Sequence, residues 1–178
     1  MIDPLINQIL RFLRAFSLGA WIGAIVFFAG IVTQGAFEVL PTQDLAGQLV
    51  GFTLTGLHLM GLIAAIVFIL ASIGMRRSLR AFVEPAVIAV ILMAILTVAS
   101  QFYVIPRMNV LRDQMGSVQA TPANDPRRAA FDKLHGVSVD LEGGVLLLGI
   151  ISLFLATRKS GAYSLDTEDT PKAGAAAR

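Results

Sequence analysis

Four long apolar segments dominate the sequence, and their length constrains the fold more than any other feature. The predicted spans cover residues 16–40, 54–75, 81–105 and 137–157. Each has about the 20 residues that an α-helix needs to cross the hydrocarbon core of a bilayer. With 56% hydrophobic residues, 15% charged residues and a mean hydropathy of +0.74, the chain has too little polar surface for a soluble domain. We therefore predict an all-α fold, an integral membrane four-helix bundle.

One transmembrane domain is predicted over residues 1–159. Asp125 before Pro126 is typical of an N-cap followed by proline in the first turn, so helix four is predicted to begin well before its span. Residues 108–115 can continue helix three, and both helices are then expected to extend outside the membrane. Residues 160–178, rich in Ala, Gly, Thr and charge, are predicted to form a disordered tail.

The distribution of basic residues predicts the orientation of the bundle. The loop between spans one and two has no Lys or Arg, whereas basic residues flank the opposite ends of the spans. The positive-inside rule then places the N-terminus, the second loop and the C-terminus in the cytoplasm. We expect a multi-pass protein of the cell inner (plasma) membrane. The residues that carry this prediction are Arg11, Arg14, Arg76, Arg77, Arg80, Arg158 and Lys159.

Polar and ionisable residues inside the spans concentrate at the outer end of the bundle. Such residues are costly in lipid, so they favour a functional hypothesis. On helix four, His135, Ser138 and Glu142 share one face, and Asp140 lies off it. The predicted ligand- or cation-binding pocket consists of His58, Glu142, Asp140, Gln101, Gln34, Glu38, His135 and Ser138.

The favoured function is binding or passage of a small cation or metal ion through this pocket. His58 and Glu142 are the predicted metal ligands, because imidazole and carboxylate suit divalent zinc, manganese or iron. One alternative is a membrane scaffold whose polar cluster is structural. Another is a haem-bearing redox protein using His58 and His135, which is disfavoured because their depths differ by about 8 Å.

The sequence excludes some kinds of site and gives no indication of several other functions. No cysteine is present, which excludes disulfides and thiolate metal sites. No catalytic motif is found, so an enzyme is not predicted. The net charge of +2 and the lack of basic runs with interleaved aromatic residues give no signal for nucleic acid. The expected partner is the bilayer, with a homo-oligomer or another membrane protein meeting the outer hairpin.

Five residues are assigned structural roles. Arg80 and Glu84, four residues apart, are predicted to form an ion pair. Gly19 and Gly23 form a GxxxG motif, which predicts close packing between helices of the chain. Arg107 follows Pro106 where span three closes.

Helix four carries a motif made of Phe131, His135, Gly136, Ser138 and Glu142. This motif resembles that of the transmembrane protein 205-like family, whose bacterial members are described as a domain of unknown function. The Gly19-Ala20-Trp21 segment and the Pro106-Arg107 pair are further points of likeness, and the resemblance spans most of residues 10–157. It implies a four-helix membrane fold, and the link of animal relatives to platinum drugs implies metal or solute traffic. A weaker likeness, at the level of the fold, is to copper-resistance D-type membrane proteins. In this motif Glu142 stands where the family usually has Asn.

Overall fold

The computed structural model describes residues 3–158, and all regular structure in that range is helical. Each of its four long helices is long and apolar enough to cross a membrane, which confirms the predicted four-helix membrane architecture. The predicted disordered tail, residues 160–178, lies outside the described residues. The helices are α1 (Pro4–Val39), α2 (Gln43–Arg76), α3 (Pro85–Met115) and α4 (Pro126–Arg158), with a 3-10 turn at Leu79–Val83.

Local capping interactions fix where the helices begin and end. The Asp3 carboxylate accepts a hydrogen bond from the backbone N–H of Leu5 at 2.8 Å, one residue after the proline that starts α1. Asp125 does the same for the N–H of Arg127 at 2.8 Å. The Arg127 side chain also donates to this carboxylate, which lowers the pKa of Asp125 to about 2. Gly116 ends α3 with a φ of 71°, a conformation that favours glycine.

Two helices contain a π-helical segment, Phe28–Val32 in α1 and Ser100–Val104 in α3. Pro106 accounts for the second, because a proline inside a helix has no N–H and its ring crowds the carbonyl four residues earlier. In α1 the Thr33 hydroxyl donates to the carbonyl of Phe28 at 3.1 Å, across the wide turn. Such π segments are frequent at functional sites.

The four helices form a ring in which each packs against the helices before and after it, and α4 closes the ring on α1. We call the end with the 40–42 turn and the 116–125 loop the hairpin end, and the end with residue 3, the 77–84 connection and residue 158 the terminal end. The buried core includes Trp21 on α1, Phe68 on α2, Met93 on α3 and Val145 on α4. This core fills the middle of the bundle and the half nearer the terminal end.

The GxxxG prediction at Gly19 and Gly23 is wrong for contacts within the chain. Both glycines are exposed, and no atom lies within 4 Å of the position that a Cβ would take at either one. Close approach occurs instead at Gly61, which packs against the Trp21 indole, and at Gly149, which packs against Ile22 of α1. The sequence motif identifies small residues, but the arrangement of the four helices determines whether those residues face a neighbouring helix.

The predicted Arg80–Glu84 ion pair is also wrong, because Glu84 pairs with two other arginines. Glu84 is buried and accepts hydrogen bonds from Arg14 of α1 at 2.6 Å and from Arg76 of α2 at 3.0 Å. Because residues 79–83 form a 3-10 turn, the spacing that brings side chains four residues apart together in an α-helix does not arise. The Glu84 carboxylate thus joins three helices at the terminal end. Burial acts to raise its pKa, but the two arginines outweigh burial and hold the pKa below its usual value.

Candidate functional site

A histidine with both ring nitrogens engaged lies at the centre of the site. His58 of α2 is 2% exposed. Its Nδ1 lies 2.8 Å from Oε1 of Gln101 on α3, and its Nε2 lies 2.5 Å from Oε1 of Glu142 on α4. Three helices therefore each supply one member of this polar triad, and the structure brings together three of the residues that the sequence singled out.

The hydrogen-bond partners determine how many protons the triad holds. With the amide oxygen of Gln101, rather than its nitrogen, facing the ring, Nδ1 of His58 is the donor of this bond. The second bond then contains one more proton, shared between Nε2 and the Glu142 carboxyl group. Whether that proton lies on the ring or on the carboxyl, histidine and glutamate together have no net charge. A neutral pair is compatible with burial and exerts little attraction on a cation.

The π segment of α3 supplies Gln101 to this triad. Its first residue, Ser100, is fully buried, and the Ser100 hydroxyl has no hydrogen-bond partner among the described residues. Buried polar groups of this kind are rare and concentrate at strained or functional places. The irregular helix, the orphan hydroxyl and the triad therefore coincide at one level of the bundle.

A cavity of about 790 Å³ lies between this triad and the hairpin end. Glu142 lines its floor, and Phe28 and Thr33 of the α1 π segment and its flank line one wall. Most of the wall is apolar. The apolar lining includes Ile25, Phe28, Phe37, Val50, Phe52, Leu54, Ile105, Met108, Phe131, Val139 and Leu146.

The mouth of the cavity carries charged groups. Arg112 lies with its guanidinium 5.5 Å from the centre of the Phe131 ring, and Arg128 pairs with Asp132 at 3.1 Å. Both arginines line the cavity, as does Asp44 of α2. These residues were not singled out from the sequence, because they precede or follow the predicted spans. The Asp125-Pro126 signature was the available signal, since it predicts that helix four extends far enough to bring residues 128–135 over the bundle.

The loop after α3 covers part of the mouth and is held there by one carboxylate. Asp44 accepts hydrogen bonds from the Ser117 hydroxyl at 2.5 Å and from the backbone N–H groups of Val118 and Gln119 at 2.9 and 3.2 Å. Arg128 donates to the carbonyl of Val118. Val118 and Gln119 line the cavity, so these bonds fasten a lid segment to the start of α2.

The remaining predicted site residues divide into two groups. His135 and Ser138 line the cavity together with Glu142, as expected from their common face on α4. Asp140 is exposed and does not line the cavity. Gln34 and Glu38 of α1 are also exposed and outside it, although Thr33 and Phe37 beside them do line it.

Gln34 lies nearer the hairpin end than His58, because the 40–42 turn sets how α1 and α2 pair. The 40–42 turn makes α1 and α2 antiparallel, with Gln34 about 7 residues and His58 about 16 residues from it. At about 1.5 Å per residue they differ in level by about 13 Å.

The described residues contain no group of three or more His, Asp or Glu side chains placed to share a metal ion. The two predicted ligands, His58 and Glu142, are hydrogen-bonded to each other instead. Haem ligation by His58 meets the same obstacle, since Gln101 and Glu142 already engage both of its ring nitrogens. The geometry therefore gives no support to the predicted metal or cation site or to the haem alternative.

Comparison with known proteins yields one family. The family model described as "Domain of unknown function (DUF4149)" matches residues 16–117, more than half of the chain, from the first span to the end of α3. No curated protein matches the chain. No solved structure matches it either.

Proposed function

Because the chain belongs to the DUF4149 family, whose function is unknown, we propose a function from its geometry: the cavity at the hairpin end binds a small amphipathic molecule. The observation that carries this proposal is the cavity of about 790 Å³ with apolar walls and few polar groups. Small-molecule sites are typically concave, about 300–1,000 Å³ in volume and mostly apolar, and they occur between the helices of bundles.

The lining gives the ligand two chemically different ends. Its apolar body packs against Phe28 and Phe37 of α1, Leu54 of α2 and Leu146 of α4. Its polar group lies against the charged residues at the mouth or against Glu142 at the floor. The surrounding bilayer offers such molecules at high local concentration, and the apolar lining favours their burial.

A bare cation finds less to bind in this cavity. The His58–Glu142 pair is neutral as hydrogen-bonded, and the carboxylates of Asp44 and Asp132 are offset by the guanidinium groups of Arg112 and Arg128. With this balance of charge the cavity lacks the excess of negative charge that would favour a cation. The apolar wall can pack against the hydrocarbon part of an amphipathic molecule, whereas it offers a bare cation no ligand.

A structural role is the second candidate, because the members of the triad satisfy one another. His58, Gln101 and Glu142 form a closed set of hydrogen bonds across three helices, and such contacts stabilise helix packing in membranes. A scaffold of this kind has no ligand. The two proposals therefore differ in whether anything occupies the cavity.

Filling the cavity with a side chain tests the proposal directly. Gly51 lines the cavity and has no atom within 4 Å of its Cβ position, so Gly51→Leu places a side chain inside it. Gly19 has equal free space but does not line the cavity, so Gly19→Leu is the matched control. Native mass spectrometry of detergent-solubilised protein titrated with dodecanol, dodecanoate and dodecylamine measures the bound fraction.

We expect at least one of these probes to bind the wild-type chain and the Gly19→Leu variant, and to bind Gly51→Leu about tenfold more weakly. The preferred head group then identifies the charge of the ligand. Equal occupancy in all three proteins, or no occupancy in any, contradicts the proposal. In that case the structural role of the triad is favoured.

The orientation and the finer family likeness also remain proposals. Cytoplasmic termini and an inner-membrane location are supported by the arginines at the terminal end, such as Arg76 and Arg77. The likeness to the transmembrane protein 205-like family depends on residues 131–142, which lie outside the matched residues 16–117. The likeness to copper-resistance D-type proteins has only the four-helix architecture to support it.

A further inference from the structure

One carboxylate faces outward from the middle of the fourth helix. Asp140 is exposed, and it has no hydrogen bond or ion pair with any other residue in the range 3–158. The exposed residues near it on α4 include the apolar Val137 and Leu147. Asp140 therefore interrupts a surface that otherwise suits lipid or another protein.

The level of Asp140 in the bundle makes its exposure costly. Glu142, two residues later, reaches the buried His58, so Asp140 lies only about 3 Å nearer the hairpin end than this triad. Exposed apolar side chains continue beyond it toward the hairpin end, for example Val110 of α3 and Phe52 of α2. A charged side chain at such a level is expensive in lipid and is normally paired.

The matching charge is on the neighbouring helix. Arg107 of α3 is exposed and lies over the ring of Tyr103, 3.3 Å from its centre. Gln101 and Glu142 both bond to His58, so they lie at one level. Tyr103 is two residues from Gln101, and Asp140 is two residues from Glu142. The guanidinium of Arg107 and the carboxylate of Asp140 therefore lie at about the same depth on one pair of packed helices.

We propose that the α3–α4 face binds a second copy of this chain, with Asp140 of each protomer paired with Arg107 of the other. A two-fold axis along the membrane normal preserves depth, so charges at one depth in a protomer meet across such an interface. Gly136 lies one turn before Asp140 and has no atom within 4 Å of its Cβ position, so a second helix can approach α4 closely there. This proposal does not depend on a ligand in the cavity.

Cross-linking in liposomes tests the contact. The chain has no cysteine, so a single introduced one reports on a single position. We expect Gly136→Cys to form a disulfide-linked dimer on mild oxidation, while Ile31→Cys, on the exposed surface of α1, remains monomeric. A Gly136→Cys chain that remains monomeric under these conditions overturns the proposal.

Charge reversal identifies the pair that holds the interface. Asp140→Arg and Arg107→Asp each place like charges opposite one another, and each should weaken dimerisation about tenfold in a dilution series measured by mass photometry. The double variant exchanges the two charges and should restore the wild-type affinity. Failure of the double variant to recover overturns the assigned pair, and the fluorescence of the buried Trp21 monitors whether each variant is folded.

Discussion

The contact between Gly61 and Trp21 allows one packing prediction to be worked out from distances. A Cβ added at Gly61 would lie 2.3 Å from Nε1, 2.5 Å from Cε2 and 2.9 Å from Cζ2 of Trp21, whereas ordinary contacts begin at 3.4 Å. The indole must therefore move by about 1 Å in an interior packed as densely as a crystal. Trp21 is 2% exposed, so its ring has little room to move.

The expected free-energy change has two opposing parts. Overpacking a core typically costs about 1–3 kcal/mol. Alanine gains about 0.5–1 kcal/mol over glycine in the middle of a helix. Gly19→Ala has the second effect without the first, because nothing lies within 4 Å of its Cβ position. The free energies of unfolding of Gly61→Ala and Gly19→Ala should therefore differ by about 1–3 kcal/mol, with Gly61→Ala the less stable.

The single tryptophan of the chain provides the assay. Unfolding in mild detergent by increasing fractions of sodium dodecyl sulfate, followed by Trp21 fluorescence, compares the wild type with both alanine variants. The Gly61→Ala variant should also shift the emission spectrum of the native state, because the indole is displaced. Equal stability of the two alanine variants, together with an unchanged emission spectrum, would show that the helices do not meet at Gly61.

Three further outcomes are expected from the polar contacts. Because the pKa of Glu84 is held below its usual value, its stabilising contribution is present above the unfolded value of about 4.3 and is lost as the pH falls further. The melting temperature should therefore decrease less between about pH 5 and pH 3 in Glu84→Gln than in the wild type, and equal slopes would contradict this assignment. Glu142→Ala leaves a ring nitrogen of His58 without its partner and should cost about 1–3 kcal/mol by the same unfolding assay, whereas Glu142→Gln, which keeps a hydrogen-bonding group, should lose less. Asp44→Ala removes three hydrogen bonds to the lid segment, so hydrogen exchange at the Val118 amide should accelerate, and unchanged exchange would show that Asp44 does not hold the lid.

The sequence predicts much of the fold because membrane spans are determined by length and hydropathy. The four helices follow from the ~20 apolar residues that each span requires. The capping residue Asp125 indicates where α4 begins, far outside its apolar segment. Both signals are local, so they need no information about how the helices are arranged.

The position of a polar side chain around and along the bundle is less predictable. His58 and Glu142 were predicted to share one pocket at the outer end of the bundle, and they bond to each other. Gln34 was predicted to belong to the same pocket, but the 40–42 turn places it nearer the hairpin end than His58. Asp140 and Glu142 are two residues apart and face different surroundings, because a helix turns by about 200° over two residues.

The π segment of α3 connects the polar triad to the cavity. A regular α-helix through Pro106 would have an unpaired carbonyl and a clash, which the π segment Ser100–Val104 accommodates by widening the turn. Gln101 lies in that wide turn and bonds to His58, and Ile105, the first residue after it, lines the cavity. The irregularity that proline imposes is therefore what connects the polar triad to the apolar cavity. Proline marks the place in the sequence, but the direction of Gln101 follows only from the widened turn.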